Sequence, residues 1–97
     1  MDIHKYDEPV YIISVAAELL CMHPQTLRMY ERENLIEPQR TGSNNRLFSD
    51  HDLDVVKEIR RLTREEGVNL AGVKIILKMQ KEMDGLRAQL GEFPPRP

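Results

Sequence analysis

The chain has no tryptophan, one cysteine and five other aromatic side chains, three Tyr and two Phe. The lone Cys21 excludes an intrachain disulfide and fits a reducing cytosol. No stretch approaches the run of about 18 apolar residues that a membrane span needs, and the N-terminus lacks the apolar run of a secretory signal. A cytoplasmic protein is therefore expected. Catalytic constellations are missing as well. There is no Gly-rich phosphate loop, no Ser/His/Asp set and no paired-carboxylate site, so an enzyme is not expected. His4, His23 and His51 stand at no metal-ligand spacing, and no cofactor is implied. Asp50, Asp52 and Asp54 alternate, but they open a helix, where capping and the helix dipole explain them better than calcium does. A basic excess is absent too: the formal net charge is −2. That removes a global signature of nucleic-acid binding but leaves the local field at a docking face to decide.

What remains is a chain of 97 residues, enough for one domain with an appended helix and a small core that a partner subunit would stabilise. Residues 1–10 are polar and read as a flexible arm. In "YIISVAAELLCM", Ser14 is a fair N-cap and Val15, Ala16, Leu19 and Leu20 follow with helical spacing. Pro24 breaks that helix and suits the first position of the next, which runs to about Glu33 with Leu27, Met29 and Tyr30 on its apolar side. "EPQRTGSNNRLFS" is rich in turn formers, and its flanks predict a small hairpin, a wing rather than a sheet. Ser49, with Asp52 three residues on, predicts a capping box for a third helix with Leu53, Val56, Ile59 and Leu62 buried, ended near Gly67. Asn69 predicts the start of a fourth helix, to about Leu90. On it Ile76, Met79, Met83, Leu86 and Leu90 recur at the spacing of a short coiled-coil seam. The expected fold is thus mainly α: a winged helix-turn-helix over residues 11–68 with a small β-hairpin wing, then a C-terminal dimerisation helix over 69–90. A flexible tail, "GEFPPRP", follows over 91–97.

Two short helices joined by a tight turn, the second opening with polar side chains, form a helix-turn-helix. In "HPQTLRMYERENLI" the helix start favours phosphate, Thr26 and Tyr30 can donate to phosphate oxygens, and Gln25 and Arg28 can reach base edges. Arg32 lies one turn beyond Arg28. The wing carries Arg40 and Arg46 with no acid, and "KEIRRLTR" sets Lys57, Arg60, Arg61 and Arg64 against Glu58 alone. Charge is therefore segregated, as a DNA-facing surface requires. The bland alternative makes Arg28 and Arg32 a solvated face paired with Glu31 and Glu33. Cys21 reads as a small core residue rather than a redox sensor. His23 reads as a helix cap or a phosphate contact.

The stretch "ISVAAELLCMHPQTLRMYERENLIEPQRTGSNNRLFSDHDL" resembles the DNA-binding domain of the MerR family of bacterial regulators. The family's pattern is "P-x-T-L-R-x-Y-E" on the recognition helix and a wing ending in Arg-x-aromatic-Ser. With "LTREEGVNLAGVKIIL" it resembles a narrower branch, the HspR heat-shock repressors, over roughly residues 9–80. The resemblance implies recognition-helix contacts at Gln25, Thr26, Arg28 and Tyr30 and a wing contact at Arg46. The full expected DNA-binding set adds Ser14, His23, Arg32, Arg40 and Asn45. The family's wing usually has Tyr where this chain has Phe48, and Phe48 can pack on sugar but not donate to phosphate; the turn commonly has Gly where this chain has Cys21. The family's metal sensors have Cys near the start of the dimer helix; the fourth helix here has neither Cys nor His. The branch further implies a homodimer on an inverted repeat of double-stranded DNA, at the bacterial nucleoid, with the DnaK chaperone as co-repressor. The tail, with Phe93, is a candidate chaperone contact.

Two other readings remain open at this point. An effector-responsive activator of the same family would twist promoter DNA; the short fourth helix leaves little room for an effector domain. A helical protein-interaction adaptor would use the seam to bind another coiled coil; the basic wing argues against it.

Overall fold

A computed structural model describes residues 3–42 and 45–91. Its elements run β1 (Tyr11–Ile12), α1 (Ile13–Leu20), α2 (Pro24–Arg32), β2 (Gln39–Arg40), β3 (Arg46–Phe48), α3 (Asp50–Arg64) and α4 (Leu70–Gln89). Asn44 and the tail from residue 92, with Phe93, lie outside the described residues.

Local signals set most boundaries. Ser49 Oγ accepts from the Asp52 N–H at 3.0 Å, and the Asp52 carboxylate accepts from the Ser49 N–H at 2.9 Å, completing the expected capping box on α3. Asn69 Oδ1 accepts from the Gly72 N–H at 2.8 Å and starts α4. Pro24 occupies the first turn of α2, where no N–H is needed. Both helices of the helix-turn-helix end in paired carbonyl-capping bonds around a left-handed residue. After α1, Cys21 has φ 54°, its N–H bonds Glu18 O, and the Met22 N–H bonds Ala17 O. After α2, Asn34 has φ 61°, its N–H bonds Glu31 O, and the Leu35 N–H bonds Tyr30 O. This is the Schellman arrangement, in which a reversed residue lets the last turn's carbonyls find donors.

Long-range pairing changes three expectations. First, the wing hairpin is part of a three-stranded antiparallel sheet of order β1-β3-β2, with Tyr11 opposite Phe48 and Arg40 opposite Arg46. Second, Ser14 does not cap α1. The helix starts at Ile13 directly from the strand, its N-cap is the extended Ile12, and no side chain caps it. Strand pairing of Ile12 with Leu47 holds that residue extended and sets the boundary two residues earlier than the capping signal does. Third, residues 3–10, expected to be a loose arm, are bonded to the start of α3. His4 Nε2 lies 2.7 Å from an Asp50 carboxylate oxygen, the Tyr6 hydroxyl donates to Asp54 at 2.6 Å, and the His51 N–H donates to Tyr6 O at 3.0 Å.

The core gathers Ala16, Ala17 and Leu20 of α1, Leu27 and Tyr30 of α2, Leu35 and Ile36 after it, Phe48 of β3, Leu53, Val56, Ile59 and Leu62 of α3, and Val73 of α4. The predicted stripe on α3 is the buried one. Phe48 is fully buried, so it anchors the wing to the core and does not reach a sugar. Burying a side chain of this size stabilises the fold by about 1.5–3 kcal/mol. Cys21, expected inside, is exposed, because the left-handed turn swings it out of α1's buried face.

Only the first half of α4 packs on this core, through Leu70, Val73, Ile76 and Leu77. Ile75, on the opposite side of that half, and Met79, Met83, Leu86 and Leu90 beyond it are exposed. The exposed apolar stripe of α4 therefore begins at Ile75. Ile76, assigned to the seam from spacing, is partly buried against the chain's own core, because Val73 sets the phase of the helix on α3.

Candidate nucleic-acid interface

The recognition helix is held by its own first turn and by α1. The His23 ring nitrogen Nδ1 accepts from the Gln25 N–H at 3.0 Å, so His23 caps α2 from outside the core. This cap directs the helix start, with its positive dipole end, toward solvent. Gln25 and Arg32 are exposed, and Thr26 and Arg28 are half-buried. Neither Arg28 nor Arg32 bonds another described residue. The guanidinium nearest the helix start thus keeps its donors for a ligand. Tyr30 is 6% exposed and its ring is committed to the core, as its apolar-side placement predicts, which limits any donor role to the hydroxyl edge. Ser14 is exposed in the first turn of α1, the element against which α2 packs.

The bland alternative for the arginines does not hold. Glu31 turns to the wing instead, one carboxylate oxygen accepting from Arg40 at 3.1 Å and the other from Arg46 Nε. Arg40 and Arg46 are cross-strand neighbours, so two like charges face each other across the wing, an unfavourable pair that the carboxylate between them offsets. Asn45 is exposed beside them; its N–H donates to Thr41 Oγ1 at 3.2 Å and its carbonyl accepts from the Thr41 N–H at 2.8 Å, closing the wing's neck. The role of Glu31 was not read from the sequence. Its one trace there is an acid on a helix whose exposed face is otherwise basic.

The second basic stretch also differs from expectation. Arg60 Nη1 donates to Leu20 O at 2.6 Å, bracing the end of α1. Arg61 is paired with Glu58 at 2.9 Å and Glu66 at 3.3 Å, which lowers the Glu58 pKa and raises its own. Lys57 sits 3.8 Å from Asp54. Within 57–64, Arg64 is the exposed cation that bonds no other described residue. The basic charge seen in sequence is thus largely engaged in bonds within the chain, on α3 and on the wing, and stays unengaged at Arg28 and Arg32 of α2 and at Arg64.

Acid groups collect instead where residues 3–11 meet α3. The Tyr11 hydroxyl donates to Asp50 at 2.9 Å, and this bond, with His4 beside it, holds the Asp50 carboxyl below its ordinary range. The same bond pushes the Tyr11 phenol up. Burial, with the Asp54 bond second, raises Tyr6 to about 12. Among the described residues no group of three or more His, Cys, Asp or Glu side chains is placed to hold a metal, and no helix is long and apolar enough to cross a membrane.

Comparison with known proteins places this geometry. Residues 11–80 match the model of the MerR HTH family regulatory proteins. The chain is 43% identical over 87 residues to the heat shock protein HspR of Streptomyces coelicolor, covering 90% of this chain and 58% of that protein. It is 38% identical over 73 residues to the HTH-type transcriptional regulator GlnR of Bacillus anthracis, covering 75% of this chain and 56% of that one. The chain thus spans little more than half the length of these relatives. Among solved structures it is similar to HiNmlR, a MerR family regulator lacking the sensor domain, in a crystal bound to promoter DNA. The TM-score is 0.68 at 27% identity, with 82% of this chain and 63% of that one covered. These proteins are regulators rather than enzymes. With its recognition helix, wing and matched span, the chain belongs to the MerR family of DNA-binding transcriptional regulators.

Proposed function

We propose that the chain is a sequence-specific repressor of heat-shock and chaperone genes that binds an inverted repeat as a homodimer. One observation carries the reading: a helix start with exposed Gln25 and unpaired Arg28 stands beside a basic wing, in a chain 43% identical to HspR over 90% of its length. Gln25 and Arg28 read base edges. Thr26, His23, the Tyr30 hydroxyl and Ser14 serve the DNA backbone, and Arg32, Arg40, Asn45 and Arg46 extend the contact along it. The exposed apolar seam of α4, from Ile75 to Leu90, supports a two-fold dimer, which presents its two recognition helices to major grooves about 34 Å apart. The DnaK chaperone is the proposed co-repressor: heat loosens the dimer and diverts the chaperone to unfolded chains.

The experiment is selection of binding sites from random duplex DNA, followed by footprinting and transcription on the selected site. The reading expects two half-sites one helical turn apart and repression. A single half-site, or activation, overturns it. A binding assay at rising temperature with and without chaperone tests the co-repressor; no change in the temperature at which DNA is lost overturns that part alone.

A further inference from the structure

We infer that Glu31 is a positioning residue that sets the pose of the wing against the recognition helix and thereby the discrimination between operator and other DNA; this rests on the DNA-binding reading above. Glu31 lies in the last turn of α2, and its side chain is 19% exposed. Each carboxylate oxygen takes one wing arginine, Arg40 from β2 and Arg46 from β3. The backbone of α2 packs on α1 and not on the strands, so this carboxylate ties the helix to both strands of the wing by direct polar bonds. The bond to Arg46 uses Nε, and the two terminal nitrogens of that guanidinium bond no other described residue. Arg46 is therefore oriented from behind while its outer edge stays available to a phosphate. A charge-assisted bond of this kind fixes direction as well as distance.

An acid next to two DNA-facing arginines costs attraction to every phosphate nearby, whatever the sequence. Its effect on binding is consequently of two signs. It weakens contact with any duplex, and it strengthens the one register in which the wing and the base-reading end of α2 fit together. A side chain that merely held the fold would act on both kinds of complex in the same direction.

The test uses the full chain, a duplex selected from a random pool by the native protein, and a scrambled duplex of the same composition. Glu31→Gln keeps the shape and one acceptor but loses the charge and the second oxygen. Its affinity for the scrambled duplex rises about threefold and for the selected duplex falls about threefold, with a salt slope on scrambled DNA steeper by about one unit. Glu31→Asp keeps the charge but shortens the arm. It loses selectivity about as much, with no gain on scrambled DNA and an unchanged slope there, and it decides the matter should the Gln variant not fold. Selectivity equal to native in both variants overturns the inference. So does a parallel loss of both affinities with a lowered melting temperature, the mark of a structural role. A native chain that does not discriminate between the duplexes overturns the DNA-binding reading itself, an outcome visible before any variant is made.

Discussion

Met83→Lys combined with Leu86→Lys is the sharpest perturbation of the proposed dimer. Met83 is 46% exposed and Leu86 is 59% exposed in the single chain. Complete burial of such a side chain stabilises by about 1.5–3 kcal/mol, so covering the exposed half contributes about 1 kcal/mol each. A two-fold interface uses each residue twice, which makes the loss about 4 kcal/mol, or close to three decades in the dimer dissociation constant. Like charges brought face to face add to that loss. Sedimentation equilibrium across protein concentration reads the constant directly, and the double variant sediments as a monomer where the native chain is a dimer. The phase of α4 supplies the control. Ile75→Lys also dissociates the dimer, because Ile75 is 60% exposed, whereas Ile76→Ala lowers the melting temperature and leaves the dimer constant of the folded chain unchanged. A double variant that stays dimeric, or an Ile76→Ala that dissociates while Ile75→Lys does not, refutes the seam.

Arg28→Ala lowers specific affinity by about 1–3 kcal/mol and relaxes base preference at one step of each half-site; an equal loss on all sequences would make Arg28 a phosphate contact. Ser49→Ala removes one half of the capping box and costs about 1 kcal/mol, a fall of about 4–8 °C in melting temperature. Ser14→Ala, which removes no cap, stays within about 0.5 kcal/mol of native; equal effects at the two sites would contradict the boundary of α1. Cys21→Gly relieves a left-handed residue that carries a Cβ and raises stability by about 1 kcal/mol, measured by denaturant unfolding; a loss would mean that the side chain has contacts worth more than the strain. For Tyr6, the folded pKa of about 12 exceeds the ordinary 10.0, so the folded state holds the extra proton between them. Its contribution is complete below pH 10 and is lost as pH rises toward 12. Unfolding titrations at pH 9 and pH 11 show a drop in native protein that shrinks in Tyr6→Phe, and an identical drop in both would remove Tyr6 from the linkage.

The features legible in the sequence are those whose causes lie within one turn of helix. Ser49 and Asp52 meet across three residues, Asn69 caps Gly72 across three, and Pro24 needs no partner, so their helices begin where residue type alone puts them. The buried stripe of α3 and the polar opening of α2 follow from helical period in the same way, and so does the resemblance to the MerR family, since its motif lies on that helix. What the tertiary structure decided spans longer separations. Two residues, Tyr11 and Ile12, carry too little periodicity to declare a strand, and only pairing with β3 makes them one. The arm is held by His4 and Tyr6 across 46 and 48 residues, bonds that no local pattern announces. Glu31 could have paired within its own helix; folding brings two guanidiniums from 9 and 15 residues away, and two partners outcompete one. The exposed apolar stripe of α4 was readable as a spacing but not as a phase. A stripe of apolar residues wider than one seam leaves the choice between Ile75 and Ile76 open until Val73 and Leu77 meet the core and turn one of them inward.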